Sequence, residues 1–173
     1  MIVDSRRMKI RDAIEADLPA IVDIYNSSIP SRIATGDIEP ITVECRRNWF
    51  NEHPSNYRPL WVMEIDNKIA GWLSFQSFYG RPAYNKTAEL SIYIAPNYYR
   101  QGIGKRLLQK AIQESPNLGI KTLLGFIFAH NKPSLNLFSS YQFQQWGYLP
   151  QVAELDNIER DLIIMGRHLN SEL

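Results

Sequence analysis

The sequence has almost no cysteine: Cys45 is the single thiol, so no disulfide can form within the chain. It has no run of about 20 apolar residues, which is the length that a membrane-spanning helix needs. Its opening segment, MIVDSRRMKI, lacks the apolar core of a signal peptide. The three histidines are widely spaced and show no pattern of metal ligands. These absences predict a soluble protein of the cytoplasm that binds no metal ion.

Neither sign of charge dominates. There are 19 Lys and Arg residues against 18 Asp and Glu residues, which gives a formal net charge of +1. The overall field therefore favours neither nucleic acid nor a membrane surface as a partner. Hydrophobic residues make up 45% of the 173 residues, which is enough for one packed core. We predict one domain over residues 8–169, with a short tail over residues 1–7 and another over residues 170–173.

Hydrophobic periodicity predicts the order β-α-α-β-β-β-α-β-α-β-β, which is an α/β arrangement around one sheet. The predicted strands cover residues 8–14, 60–65, 69–75, 87–95, 122–128, 143–153 and 158–169. The predicted helices lie near residues 18–25, 42–53, 103–115 and 133–138. The run over residues 122–128 is almost continuously apolar, which predicts a central strand buried on both faces.

The most informative stretch runs from residue 89 to residue 110, ELSIYIAPNYYRQGIGKRLLQK. A predicted strand leads into the polar loop RQGIGK, residues 100–105, and this loop begins a helix. Glycine lets the backbone approach a ligand closely, and the free N–H groups and positive dipole end of a helix N-terminus attract anions. Lys105, Arg106 and Lys110 add positive charge nearby. The pattern predicts a site for a diphosphate group.

Two common phosphate-binding motifs do not fit this glycine loop. A P-loop requires a lysine followed by Ser or Thr, but Lys105 is followed by Arg106. A dinucleotide-binding fingerprint requires a third glycine, and Leu107 occupies that position. A glycine turn in front of a solvated basic helix remains as the alternative to a ligand site.

The loop RQGIGK after the strand Ser91-Ile92-Tyr93-Ile94 resembles the acetyl-CoA pyrophosphate loop of the GNAT superfamily of N-acetyltransferases, whose pattern is Gln/Arg-x-x-Gly-x-Gly/Ala. Asn131, shortly after the next strand, is similar to a second superfamily feature. Within the superfamily, the chain most resembles the phosphinothricin acetyltransferases and the relatives that acetylate methionine sulfoximine and methionine sulfone. That resemblance covers most of the chain and includes the segments Trp49-Phe50, Arg81-Pro82-Ala83-Tyr84, Ala88-Glu89 and Leu149-Pro150.

The resemblance implies a single mixed, mostly antiparallel sheet of seven strands flanked by four helices, and a homodimer. It also implies that acetyl-CoA is the acetyl donor and that a small-molecule amine is the acceptor. The residues implied to bind acetyl-CoA are Ile92, Tyr93, Ile94, Arg100, Gln101, Gly102, Ile103, Gly104, Lys105, Asn131 and Ser134. The residues implied to contact the acceptor are Arg81, Pro82, Ala83, Tyr84 and Glu89.

The chain departs from the superfamily pattern at two positions. Tyr99 stands where Gln or Arg is usual, which matters little if backbone N–H groups provide the binding. Phe138 stands where many members have a tyrosine that acts as general acid, and a phenyl ring cannot donate a proton. Tyr141, three residues later, and water are the remaining proton donors for the leaving thiolate.

Glu89 is predicted to be the general base. An α-amino group has a pKa of about 7.7–8.0 and is therefore mostly protonated at pH 7, so a carboxylate that removes its proton increases the rate. Glu89 matches the catalytic glutamate of the phosphinothricin group, and strand alternation places Glu89, Ser91 and Tyr93 on one face. The alternative is a structural carboxylate that pairs with Lys86.

Transfer is predicted to be direct, with backbone N–H groups of residues 92–94 stabilising the oxyanion and Cys45 taking no part. Either Arg81 or Arg32 would bind a substrate carboxylate, unless both are simply solvated. Two further functions remain open. A peptide or protein N-terminal acetyltransferase would have the same fold, and a non-catalytic acyl-CoA sensor would explain Phe138.

Overall fold

The structure is a computed structural model that describes residues 7–169, so the predicted C-terminal tail, residues 170–173, and residues 1–6 of the predicted N-terminal tail, residues 1–7, lie outside the described residues. Within that range the chain forms seven strands and four α-helices. The strands are β1 Met8–Asp12, β2 Leu60–Ile65, β3 Lys68–Ser77, β4 Thr87–Ile94, β5 Thr122–Phe128, β6 Gln144–Leu155 and β7 Ile158–His168. The helices are α1 Leu18–Ser28, α2 Val43–Asn51, α3 Ile103–Glu114 and α4 Lys132–Ser140.

The predicted order of elements is confirmed, although the first strand ends earlier than predicted. Hydrophobicity alone extends the predicted strand to Ile14, but β1 stops at Asp12. The Ile14 N–H donates to the Asp17 carboxylate at 2.9 Å, which turns the chain into a short 3-10 helix, Glu15–Asp17. A side chain that accepts a backbone N–H in this way competes with strand pairing.

The seven strands form one sheet in the order β1-β2-β3-β4-β5-β7-β6. Every pair of neighbours is antiparallel except β4 and β5, which run parallel. The parallel pair is possible because the intervening α3 carries the chain back across the sheet. The predicted mixed, mostly antiparallel sheet is therefore confirmed.

Hydrophobic residues pack on both faces of the sheet. On one face, α3 and α4 contribute Leu107, Leu108 and Phe138 to the larger cluster. On the opposite face, α1 packs on β2 and β3 through a second cluster, and the Trp72 Nε1–H donates to the Ile21 carbonyl at 3.1 Å. Within the part of the chain that is described, no helix is both long and apolar enough to cross a membrane.

Candidate functional site

The two parallel strands in the middle of the sheet separate soon after they meet. Pairing between β4 and β5 covers only three residue pairs and ends where Glu89 lies opposite Leu124. Beyond that point β4 continues to Ile94 and β5 to Phe128, each paired only with its outer neighbour. A gap therefore opens in the sheet directly after Glu89, and one of its walls is the backbone of β4.

The backbone groups along that wall follow from the antiparallel pairing of β3 and β4. Ala95 N–H donates to the Ala70 carbonyl at 2.8 Å, so the alternation of the ladder directs the N–H of Tyr93 towards β3 as well. The N–H groups of Ile92 and Ile94 then face the gap, where no strand pairs with them. Of residues 92–94, only these two have N–H groups in a position to donate to a ligand in the gap.

Glu89 is half-buried at the start of the gap. Burial raises the pKa of its carboxyl group above the ordinary value. In the described part of the chain no hydrogen bond or ion pair engages this carboxylate, so the alternative of a salt bridge with Lys86 is not observed. An unpaired, partly desolvated carboxylate with a raised pKa is suited to accept a proton from an amine.

The loop between α1 and α2 covers the same face of the sheet as Glu89. The Tyr93 hydroxyl donates to the Ala34 carbonyl at 3.3 Å, and the Tyr25 hydroxyl hydrogen-bonds with both Thr35 and Asp37. Burial is also the main cause of the raised pKa of Tyr93. These contacts hold the loop close to β4 and reduce the access of water to this face.

The predicted diphosphate loop lies at the N-terminus of α3. Gly102 is the residue before the first helical turn, with φ +76°, and a Cβ built there would meet nothing within 4 Å. The first intrahelical hydrogen bond runs from the Arg106 N–H to the Gly102 carbonyl at 3.1 Å. The N–H groups of Ile103, Gly104 and Lys105 therefore have no acceptor among residues 7–169. Together they offer an anion three donors at the positive end of the helix dipole.

The two glycines of this loop have different roles. Gly102 has a positive φ, whereas Gly104 lies against α4: a Cβ there would be 3.2 Å from Leu137 Cδ2, so the leucine side chain would have to move by a few tenths of an ångström to admit it. Arg100 also has a positive φ, of 61°, and its side chain is exposed, as is that of Lys105. Gln101 donates from Nε2 to the Asn97 carbonyl at 3.1 Å. The close approach of a ligand to either glycine stays a prediction.

The predicted cofactor residues after β5 have a structural role. Asn131 is buried and caps α4, since its Oδ1 accepts the Ser134 N–H at 3.2 Å. The neighbouring His130 places Nε2 2.8 Å from the Arg32 carbonyl, which joins this turn to the loop after α1. The cap fixes where α4 begins, and contact of Asn131 or Ser134 with acetyl-CoA stays a prediction.

The predicted acceptor segment, residues 81–84, lies in the loop between β3 and β4 and includes a short 3-10 helix, Pro82–Tyr84. Arg81 is exposed, and it forms no ion pair with any described residue. Tyr84 packs against Phe78, with ring centroids 5.5 Å apart. Arg32 is different, because its Nε donates to the Asp156 carboxylate at 2.8 Å. Of the two arginines, only Arg32 has an ion-pair partner among the described residues, and the binding of a substrate carboxylate by either one stays a prediction.

Phe138, at the position where relatives have a general acid, is part of the hydrophobic core. Phe138 is buried against Phe143, and a Cβ on Gly125 would lie only 2.7 Å from Phe138 Cε1. The ring therefore fills a hole in the sheet that Gly125 provides. Tyr141 also packs against the larger hydrophobic cluster, so its role as proton donor stays a prediction.

Two side chains near the site are not indicated by the sequence motifs. Phe126 lies on the same face of β5 as Leu124, the residue opposite Glu89, and its ring centroid is 6.4 Å from that of Phe78. Arg58 is buried beneath the loop between β3 and β4. The strand period could have indicated Phe126, but nothing in the local sequence distinguishes Arg58 from a solvated arginine.

Comparison with known proteins bears on the chemistry of this site. Residues 18–143 match the model of the acetyltransferase (GNAT) family. The chain is 52% identical over 164 residues to YwnH of Bacillus subtilis, named as a candidate phosphinothricin acetyltransferase, and the match covers 94% of this chain and 100% of YwnH. It is 28% identical over 162 residues to the L-methionine sulfoximine/L-methionine sulfone acetyltransferase of Pseudomonas aeruginosa, covering 93% of this chain and 94% of that relative.

One solved structure with this fold contains acetyl-CoA. The phosphinothricin acetyltransferase (Pat) of Sinorhizobium meliloti, determined in complex with acetyl-CoA, has the same fold with a TM-score of 0.88. The two chains are 27% identical, and the match covers 94% of this chain and 89% of the other. A protein with this fold therefore binds acetyl-CoA.

Proposed function

Since this chain belongs to the acetyltransferase (GNAT) family, we propose that it transfers the acetyl group of acetyl-CoA to the amino group of a small, amino-acid-like substrate. The expected acceptors are of the phosphinothricin, methionine sulfoximine or methionine sulfone type, in keeping with the names of its relatives. The observation that supports this proposal most directly is the unpaired, desolvated Glu89 at the point where β4 and β5 separate.

In the proposed reaction, Glu89 removes the proton that the amine must lose. The nitrogen then attacks the thioester carbon, while the N–H groups of Ile92 and Ile94 donate to the carbonyl oxygen as it gains negative charge. The carbon–sulfur bond breaks, and the thiolate takes a proton from water because Phe138 has none to give. Cys45 lies on α2, where its Sγ donates to the Thr42 carbonyl at 3.0 Å, so direct transfer is proposed rather than an acyl-enzyme.

The N-terminus of α3 provides groups that fit the diphosphate of acetyl-CoA. Three backbone N–H groups without acceptors among the described residues meet the positive end of the helix dipole there. Lys105 and Arg106 add two exposed positive charges in the first turn of the helix. Bound acetyl-CoA would supply the activated acetyl group. Arg81, on the other side of Glu89, would pair with the carboxylate of the acceptor.

The proposal is tested by measuring thiol release from acetyl-CoA with a panel of amines. Methionine sulfone, methionine sulfoximine and phosphinothricin are expected to be acetylated, whereas polyamines and peptides are expected to give only the background rate, because Arg81 matches one α-carboxylate beside the amine. Release without added amine is the control. Activity on peptides alone would favour an N-terminal acetyltransferase, and binding of acetyl-CoA without turnover on any amine would favour a sensor.

We also propose that the protein is a homodimer. Strand β6 lies at the edge of the sheet. Four of its large apolar residues are exposed: Trp146, Tyr148, Leu149 and Val152. Exposed apolar edges of this kind are typical of interfaces. Sedimentation equilibrium at micromolar concentration is expected to give twice the mass of one chain, and the mass of a single chain would contradict the proposal.

Location in the cytoplasm stays a prediction based on the single cysteine.

A further inference from the structure

Arg58 has an unusual environment for an arginine. It is only 2% exposed, and none of the described Asp or Glu side chains forms an ion pair with it. Burial lowers the pKa of its guanidinium group accordingly. Removing a charge from water without a counter-charge is unfavourable unless hydrogen bonds compensate for it. The groups that Arg58 contacts therefore indicate why a charged side chain is present at this position.

The guanidinium group of Arg58 contacts two residues that lie 19 and 27 positions later in the chain. Its Nε–H donates to Ser77 Oγ at 3.1 Å, and its Nη2–H donates to the Asn85 carbonyl at 2.8 Å. Nη1 donates to the Tyr57 carbonyl at 3.0 Å, and the guanidinium carbon lies 4.1 Å from the centroid of the Tyr57 ring. Ser77 is the last residue of β3, and Asn85 lies just before β4. Arg58 thus links both ends of the loop formed by residues 78–86.

This loop contains the proposed acceptor segment, residues 81–84, and its ends adjoin Glu89. Gln76, next to Ser77, is the residue of β3 that pairs with Glu89, and Asn85 comes shortly before Glu89 in the chain. A cleft of about 270 Å³ lies beside the end of β3 and is lined by Arg58, Gln76 and Ser77 together with His53 and Glu52. No loop residue lines this cleft, so the hydrogen bonds to Ser77 and Asn85 are the contacts that connect Arg58 to the two ends of the loop.

We propose that Arg58 is a positioning residue that holds the two ends of the loop over residues 78–86 and so fixes the acceptor segment relative to Glu89. It contacts neither substrate, and its role depends on the proposed function. Because the α3 N-terminus lies at the far end of β4, the binding of acetyl-CoA is independent of Arg58. Its loss would therefore affect the amine and leave acetyl-CoA binding intact.

The test compares Arg58→Met with Arg11→Met in steady-state kinetics, with methionine sulfone and acetyl-CoA varied separately. Arg11 is a matched control, because it is a half-buried arginine that forms ion pairs with Asp17 and Glu64 and lies on the edge strand β1, three strands away from β4. In Arg58→Met, the KM for the amine is expected to rise by about tenfold to a hundredfold, since small misplacements of binding groups have effects of this size. The KM for acetyl-CoA is expected to stay unchanged. Arg11→Met is expected to change neither KM.

Thermal unfolding of both variants separates positioning from stability. If Arg58→Met is less stable but both of its KM values equal those of the wild type, Arg58 is only a structural residue and the proposal is wrong. An equal rise in both KM values would also contradict it, because the disturbance would then extend to the whole site. A wild-type protein that acetylates no amine would remove the proposed function itself, which is a different result from an unchanged variant.

Two further measurements apply if Arg58→Met does not fold. Arg58→Lys keeps the charge but cannot donate from a planar fork to Ser77 and Asn85 together, so a smaller rise in the KM for the amine is expected. Hydrogen exchange of residues 78–86 in Arg58→Lys is expected to be faster than in the wild type, and exchange in α3 is expected to be the same. Unchanged exchange in the loop would overturn the proposal.

Discussion

Replacement of Glu89 by glutamine is expected to lower kcat/KM for the amine by about 10²–10⁴-fold, which is the range for loss of a general base. Glutamine has nearly the same shape but cannot accept a proton from the amine. The carboxylate has no partner among the described residues, so the substitution orphans no other group and the fold should be retained. Thiol release measures the rate, and calorimetric titration with acetyl-CoA should give the wild-type affinity.

The control for this experiment is Glu64→Gln on β2, which removes the ion pair with Arg11 while its amide oxygen can still accept from the Arg11 Nε–H, and which lies two strands away from β4. It should keep wild-type activity.

The pH profile provides a second check on the role of Glu89. Because Glu89 acts as a base only when deprotonated, activity rises as pH passes its pKa, and burial shifts that rise above the ordinary range for glutamate. Glu89→Gln should lose this limb. Wild-type turnover in Glu89→Gln would exclude Glu89 as the base.

The parts of the site that depend on local chemistry can be predicted from the sequence. The loop RQGIGK is recognisable because glycine and a following helix produce free N–H groups whatever the rest of the fold does. Gly102 indeed adopts a positive φ at the helix start. Strand alternation likewise places Glu89 and Tyr93 on one face, and the structure has Tyr93 packed against the cluster beneath α1. Periods of two and of 3.6 residues are properties of short segments, so a single sequence contains them.

Contacts between distant segments cannot be predicted in this way. Arg32 pairs with Asp156, which lies 124 residues later, so the sequence does not reveal that its guanidinium group is already engaged. The approach of Leu137 on α4 to Gly104 joins two helices that are far apart in sequence, so the sequence does not reveal it. The hydrogen bonds of Arg58 join three segments that no pattern connects. In each case the partner is set by the order of the strands, which local periodicity does not specify.

The separation of β4 and β5 leaves backbone N–H groups unpaired in the proposed site. Each further pair between these strands would occupy the N–H groups of Ile92 and Ile94, so the loss of pairing after Glu89 is what leaves them available to a ligand. The two strands are held apart by different neighbours, since β4 pairs with β3 and β5 pairs with β7 along their remaining lengths. The gap is therefore a property of the sheet, and the proposed base lies near the start of β4 while the proposed diphosphate loop follows its end.

Substitution of Gly102 by valine is expected to raise the KM for acetyl-CoA by about tenfold to a hundredfold, because the equivalent of one charge-assisted hydrogen bond of roughly 1.5–3 kcal/mol would be lost. A β-branched residue at φ +76° costs about 1–3 kcal/mol, so the loop should change its conformation to relieve the strain. The N–H groups of Ile103, Gly104 and Lys105 would then no longer point to one place. Steady-state kinetics and calorimetric titration with acetyl-CoA measure the effect.

The matched control for Gly102→Val is Gly102→Asn, because asparagine adopts a positive φ more readily than valine does. A Cβ at this position would meet nothing within 4 Å, so a clash at Cβ cannot explain a difference between the two variants. If backbone conformation matters, asparagine should retain most of the affinity for acetyl-CoA and valine should not. If the side chain simply obstructs the ligand, both variants should lose affinity equally. Wild-type affinity in Gly102→Val would instead mean that the diphosphate binds elsewhere, and the proposed placement of acetyl-CoA at α3 would be wrong.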